Sequence, residues 1–309
     1  MKLTSHRFSV QFLILMAAFK TISGSFVQAQ PHRSDDNAIQ KLPETPSQLG
    51  PGTELPFRIS GGYLILVEGA IGTRTHLKFI VDTGASISIV DSKIADDLKL
   101  QRKRRESFNF NFDQKLVWEQ AAIPELRFGP ILAINNIMLV GPLAKYSDYA
   151  RNVDAIIGLD LLQLRNFTVD YTSKKLVFHS PANSLAPVRD DAPTNGLTLQ
   201  IRIQGHPVRL IVDTGFPSIL LFEERLSARV PELGKTRSVS YVTLGERLHA
   251  KATNLRGVAI GATNRDVSVL LAQAPPPEIL PGIDGVVGIS ALKARRVHFN
   301  FTERTLSWE

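Results

Sequence analysis

The 309-residue chain contains no cysteine, which excludes disulfide bridges, thiolate metal sites and a cysteine nucleophile together. The fold must therefore be held by packing and hydrogen bonding alone. Metal and nucleotide signatures are missing too: there is no HExxH, GxSxG, Walker A or GxGxxG pattern, and the seven His are scattered without ligand spacing. Charge is sparse at 21%, with a formal net of +7. Three of those positive charges, Lys2, Arg7 and Lys20, fall in the first 29 residues, which hold no acid, leaving +4 for the rest. So small an excess makes no case for nucleic acid. Past residue 30 no apolar run approaches the ~20 residues that a spanning helix needs. What is present is an ordinary globular composition, 43% hydrophobic, and a length that suits one large domain or two of about 150 residues.

The amino terminus has the organisation of a secretory signal. Lys2 and Arg7 precede an apolar stretch from Phe8 to Phe19, and Val27-Gln28-Ala29 supplies the small-residue cleavage pattern. Residues 1–29 are therefore expected to be a signal peptide, which places the protein in the periplasm or outside the cell. Residues 30–56, rich in Pro, Gln, Ser, Thr and Asp, have the composition of a flexible linker. No stable membrane span is expected after processing.

The remainder repeats itself once. LKFIVDTGAS, with Asp82, is echoed by VRLIVDTGFP, with Asp213; VDAIIGLDLL, with Gly158, by IDGVVGISAL, with Gly288; and NFTVDYTSKKLVF by VHFNFTERTLSW. All three stations recur at an offset of 130 or 131 residues, so the chain reads as two lobes, 57–180 and 197–309, joined by a linker at 181–196. Short strands dominate: Tyr63 to Val67 and Leu197 to Ile203 alternate, while Leu77 to Val81 and Arg209 to Val212 are apolar runs closed by a Gly-containing turn. Helices are expected at Ser92 to Leu98, Glu223 to Val230, Asp160 to Arg165 and Ser290 to Arg295. Hairpins are expected around Asp113-Gln114 and Gly245-Glu246. The basic run Arg102-Lys103-Arg104-Arg105 reads as a solvated loop, and Trp118 and Tyr241 as packing residues on strands.

An apolar run delivering Asp-Thr-Gly to a tight turn leaves the carboxylate exposed to its surroundings and the Thr hydroxyl free to brace the loop. Two such turns facing across a pseudo-twofold would set Asp82 beside Asp213. Carboxylates that close cannot both ionise easily, so they share a proton. The ionised member then takes a proton from water as the water attacks a peptide carbonyl, which the protonated member polarises.

VDTGAS at 81–86 followed by AIIGLDLL at 155–162, repeated in the second half, resembles the aspartic peptidases of the retropepsin and pepsin type, in a fused two-lobe form. The resemblance implies a mainly β fold: two similar closed-barrel-like lobes related by a pseudo-twofold, with few short helices. It implies that Asp82 and Asp213 are the catalytic dyad and that Thr83, Gly84, Ser86, Thr214 and Gly215 support the loops, the two threonines through crossed hydrogen bonds. No cofactor or metal is implied. The expected partner is a peptide or protein substrate, and the expected state a monomer with an internal pseudo-dimer. Phe216 and Pro217 depart from Ala85 and Ser86 of the first loop, and Pro217 lacks an N–H donor. They motivate an alternative: a non-catalytic member of the same fold with a degenerate second loop, binding a peptide or an envelope protein. A shared proton favours an acid optimum, whereas Ala85 in place of a hydroxyl residue removes one bond that would lower a carboxylate pKa and so leaves a near-neutral optimum open as well.

Overall fold

The computed structural model describes residues 9–11, 52–109, 115–145, 152–181, 196–230, 233–243, 246–274 and 280–309. The signal segment apart from 9–11, most of the 30–56 segment, the turn at Asp113-Gln114, residues 244–245 of the second hairpin turn and residues 182–195 lie outside the described residues. No helix among the described residues is long and apolar enough to cross a membrane.

The chain is mainly β. A short strand β1 (Ser9–Gln11) precedes the first lobe, made of β2 (Thr53–Ser60), β3 (Leu64–Ile71), β4 (Arg74–Val81), β5 (Ile89–Asp91), α1 (Ser92–Asp97), β6 (Arg102–Asn109), β7 (Lys115–Phe128), β8 (Ile131–Gly141), β9 (Ala155–Ile157), α2 (Leu159–Leu162), β10 (Arg165–Asp170) and β11 (Lys175–Pro181). The second lobe repeats the series as β12 (Thr198–Ile203), β13 (His206–Asp213), β14 (Ile219–Phe222), α3 (Glu223–Leu226), β15 (Arg237–Thr243), β16 (Glu246–Ile260), β17 (Thr263–Ala272), β18 (Gly285–Gly288), β19 (Arg296–Asn300) and β20 (Thr305–Trp308). Strands β3-β4-β9-β5-β8-β7 close on themselves through the β3–β7 pairing, and β12-β13-β18-β14-β17-β16 close through β12–β16. Two six-stranded barrels result, as the resemblance implied.

Burial follows the sequence pattern. β12 alternates cleanly, its Leu199, Ile201 and Ile203 inward and Thr198, Gln200 and Arg202 outward. The inner ends of β4 and β13 instead read as continuous apolar runs because each is paired in parallel, β4 with β9 and β13 with β18, and is covered on both faces. These two runs carry the chain into the interior and end at Asp82 and Asp213.

The lobes are joined by the antiparallel sheet β11-β10-β19-β20. In the β10–β19 pairing Thr168 lies opposite His298, its own counterpart in the repeat 130 residues away, so the pseudo-twofold axis passes between these two residues. Phe167 stacks on Phe299 at 4.8 Å between ring centroids, with Phe178 and Phe301 at 6.0 and 5.9 Å from Phe167. Arg296 Nε donates to Asp170 Oδ2 across the joint at 2.8 Å. An offset stack of this kind contributes ~0.5–1.5 kcal/mol beyond area burial, so Phe299→Leu is expected to lower stability by about 1 kcal/mol, read by urea unfolding with an unchanged slope.

Three expectations need correction. β2 begins at Thr53, inside the segment read as linker to residue 56, because Thr53–Pro56 pair with β11 before the strand enters the barrel. The basic run at 102–105 lies in β6, not in a loop; Arg102 bonds the carboxylates of Asp96 and Glu119, so its charge is used within the lobe. The helices are shorter than predicted. Asp91 caps α1 by accepting from Lys93 N–H at 2.9 Å, whereas Phe222 gives α3 no side-chain acceptor and it stops at Leu226.

Candidate active site

Asp82 and Asp213 come together at the base of the two lobes, each at the end of its buried strand and each fully shielded from solvent, at 0% exposure. The threonines lock the loops to one another. Thr83 N–H donates to Thr214 Oγ1 at 2.9 Å and Thr214 N–H donates to Thr83 Oγ1 at 3.1 Å. Their hydroxyls in turn donate to Val212 O at 2.8 Å and Val81 O at 2.7 Å. Each hydroxyl thus accepts once and donates once across the lobe boundary, which leaves no polar atom of the crossing unpaired. The carboxylates therefore cannot separate without breaking four bonds.

The glycines serve this approach rather than an unusual backbone. Gly84 and Gly215 are absent from the glycines of positive φ, so the tight turn does not require them. A Cβ on Gly84 would instead lie 2.3 Å from Asp213 Oδ2, and one on Gly215 2.7 Å from Asp82 Oδ2. Each glycine makes room for the opposite carboxylate. Each also donates to its own: Gly84 N–H to Asp82 Oδ1 at 2.9 Å, and Gly215 N–H to Asp213 Oδ1 at 2.6 Å. Ala85 N–H adds a second bond to Asp82 Oδ1 at 3.1 Å. The outer oxygens, Oδ2 of both residues, are buried with no hydrogen-bond partner among the described residues.

Burial pushes both carboxyls up. Asp213 is raised to about 7, with the backbone N–H groups and Asp82 opposing the shift. Asp82 is raised well above the usual carboxylate range, first by burial and then by the neighbouring charge of Asp213. The titration belongs to the pair, which holds a proton through neutral pH.

A family model described as aspartyl protease matches residues 199–291, the span that contains the second Asp-Thr-Gly loop and Gly288. This match supports an aspartic peptidase family for the chain. No curated protein matches it.

The two lobes are not copies in detail. Strand register makes Leu139 the counterpart of Leu270 and, through Gln120 and Ala252 opposite them, makes Trp118 the counterpart of Ala250. The first lobe has Ala85 with Trp118 in one buried cluster, and the second has Phe216 with Ala250 in the equivalent cluster. Large and small have exchanged places between loop and strand. Phe216, read from sequence as a disturbance of the loop, is 1% exposed and fills volume that the tryptophan supplies in the other lobe. Trp118 is packing, as predicted; the side chain of Tyr241 lies outside the described residues.

Gly158 and Gly288 lie directly behind the loops. A Cβ there would meet Ala85 O at 2.7 Å and Phe216 O at 1.8 Å, the close approach expected from the sequence. Ser86 is half-buried, and Ser88 ties the first loop to α2. Its N–H and hydroxyl donate to Asp160 Oδ1 at 2.9 and 2.7 Å. Sequence reasoning missed both residues. The signal was the mismatch of GLD at 158–160 with GIS at 288–290. It also missed Asp154 and Asp284, which recur 130 apart and accept from Lys78 and Arg209 N–H at 2.7 and 2.9 Å, pinning the strands that lead to the dyad.

Proposed function

We propose that the protein is an exported, single-chain aspartic endopeptidase in which Asp82 and Asp213 activate one water for attack on a peptide carbonyl. The observation behind this reading is the reciprocal threonine crossing, which holds two buried carboxylates together with both Oδ2 atoms free of partners among the described residues. In the singly protonated pair the ionised member accepts the water proton while the other donates toward the carbonyl oxygen. The tetrahedral intermediate then collapses as the nitrogen of the scissile bond is protonated. No side chain becomes covalently attached. An extended substrate would lie in the cleft between the lobes, its backbone pairing with strands of the β6–β7 and β15–β16 hairpins. Both members of the dyad belong to one chain, so a monomer suffices. Export rests on the 1–29 segment.

The test is cleavage of a diverse peptide library across pH, with and without a statine-type transition-state mimic. Cleavage is expected to rise along a limb near pH 7, where the pair loses its first proton, and the mimic is expected to bind far more tightly than a plain peptide. No cleavage at any pH, with the mimic held no better than peptide, would favour the non-catalytic binding member instead.

A further inference from the structure

Behind the first catalytic loop lies a polar cluster that the second lobe does not reproduce. Four consecutive residues grip the loop from behind. Ile157 O accepts from Asp82 N–H at 3.0 Å, Gly158 N–H donates to Ser88 Oγ at 2.9 Å, and Leu159 N–H donates to Ala85 O at 2.7 Å. Asp160 Oδ1 completes the set by accepting from both the N–H and the hydroxyl of Ser88. Three of these residues act through backbone; Asp160 alone acts through a side chain. Its second oxygen accepts from Asn136 Nδ2 at 3.3 Å.

The second lobe solves the same problem differently. Ile219 stands in place of Ser88 and Ser290 in place of Asp160. Gly288 N–H donates to Ser218 O at 2.7 Å, and the Ser290 hydroxyl donates to Pro217 O at 2.9 Å. There a neutral hydroxyl gives a proton to a carbonyl, and the proline, which has no N–H to offer, is held by its oxygen. In the first lobe a carboxylate receives two bonds, which makes them charge-assisted and stronger than neutral ones. Burial raises the Asp160 pKa and the bonds from Ser88 oppose that rise. A carboxylate retained at this half-buried position, where the other lobe manages with serine, points to a demand on the first loop that packing alone does not meet.

We infer that Asp160 is a positioning residue for Asp82: through Ser88 it fixes the far end of the first catalytic loop against α2 and thereby sets where the Asp82 carboxylate sits relative to Asp213. The inference rests on the peptidase reading above and deepens it. Asp160 touches no reacting atom. Its effect travels along the five residues between Asp82 and Ser88, whose near end is already fixed by the threonine crossing.

The experiment compares Asp160→Ala, Asp160→Asn and Ser290→Ala with the parent, reading kcat and KM on folded protein and, separately, the carboxyl carbon titration of the dyad by NMR. Asp160→Ala is expected to lower kcat by roughly 100-fold with KM within about threefold, because a misplaced reacting group costs rate rather than binding. Asp160→Asn, which keeps an oxygen for Ser88, is expected to recover to within about tenfold of the parent, and Ser290→Ala to leave the Asp82 titration unmoved. A folded Asp160→Ala protein with parental kcat and an unshifted dyad titration overturns the inference. Should the parent cleave no peptide, the peptidase reading fails by itself, and the titration still decides: a shift in Asp160→Ala restored by Asn upholds the positioning role, and no shift refutes it. If Asp160→Ala does not fold, Ser88→Ala, which removes one of the two bonds, is read in its place with the same expected direction.

Discussion

Asp82→Asn is expected to abolish peptide hydrolysis and, at neutral pH, to make the protein more stable. Asparagine keeps the shape of the side chain and an oxygen for the N–H groups of Gly84 and Ala85, so the loop is preserved. What it removes is the exchangeable proton, and with it the acid–base step, at a cost of ~10²–10⁴-fold in kcat or more. Asp213→Asn is expected to do the same. The stability gain follows from linkage. A carboxyl raised in the folded state binds its proton more tightly there than in the unfolded chain, so its favourable contribution is full below pH ~4 and is lost as pH rises toward the folded value, about 7 for Asp213. Asp170 acts in the opposite sense. The Ser173 N–H and then Arg296 lower it to about 2, so its contribution is present above pH ~4 and lost as pH falls toward 2. The dyad thus favours the acid side of neutral and Asp170 resists strong acid. Removing one dyad carboxyl flattens the decline toward neutral pH, and a rise of a few degrees in Tm at pH 7 is expected, with little change at pH 4. Thermal unfolding at the two pH values, beside turnover, checks both halves. Normal hydrolysis by the asparagine protein, or an unaltered Tm at pH 7, would contradict the account. The opposed effects are those of a site whose chemistry requires a destabilising burial.

Much of this architecture is legible in the sequence because the repeat constrains it. Asp82 and Asp213 sit at matched stations, the apolar runs before them announce strands covered on both faces, and Gly158 and Gly288 mark close approach. Legibility fails where one residue's role depends on a partner far along the chain. Phe216 looks like damage to the second loop until the strand register pairs it with Ala250 and shows the reverse arrangement at Ala85 and Trp118. Asp160 looks like an ordinary first-turn acid on α2; only the fold brings Ser88 to it across 72 residues. The basic run at Arg102 fails for a related reason. Local charge argues for solvent, but a strand on the edge of the sheet presents alternate residues outward and tolerates it. The glycines of the two loops are legible as turn residues whose N–H groups approach the carboxylates, but nothing local reveals that the space each one leaves is taken by a carboxylate from the other lobe.

That space yields the most specific expectation. Gly84→Ala introduces a methyl group at 2.3 Å from Asp213 Oδ2, 2.4 Å from its Cγ and 2.6 Å from Oδ1, whereas Gly215→Ala meets Asp82 at 2.7, 2.8 and 2.9 Å. Neither glycine has positive φ, so alanine is permitted by the backbone and the conflict is one of volume alone. The carboxylates have little room to yield, being buried and tied by Gly215 N–H on one side and by Gly84 and Ala85 N–H on the other. The loops have little more, since parting them breaks the threonine crossing. Gly84→Ala is therefore expected to lower kcat by roughly 100-fold or more and to cost ~1–3 kcal/mol of stability from overpacking. Gly215→Ala should be the milder of the two in both measures. Gly288→Ala differs in kind, because its methyl would strike the Phe216 carbonyl at 1.8 Å, and main chain cannot swing aside as a carboxylate does; its loss should appear first as failure to fold. Measuring kcat and urea midpoints for the three proteins tests the ranking. A Gly84→Ala protein as active as the parent would mean that the carboxylates do not share the space between the loops, and the dyad would have to be sought in another arrangement of the lobes.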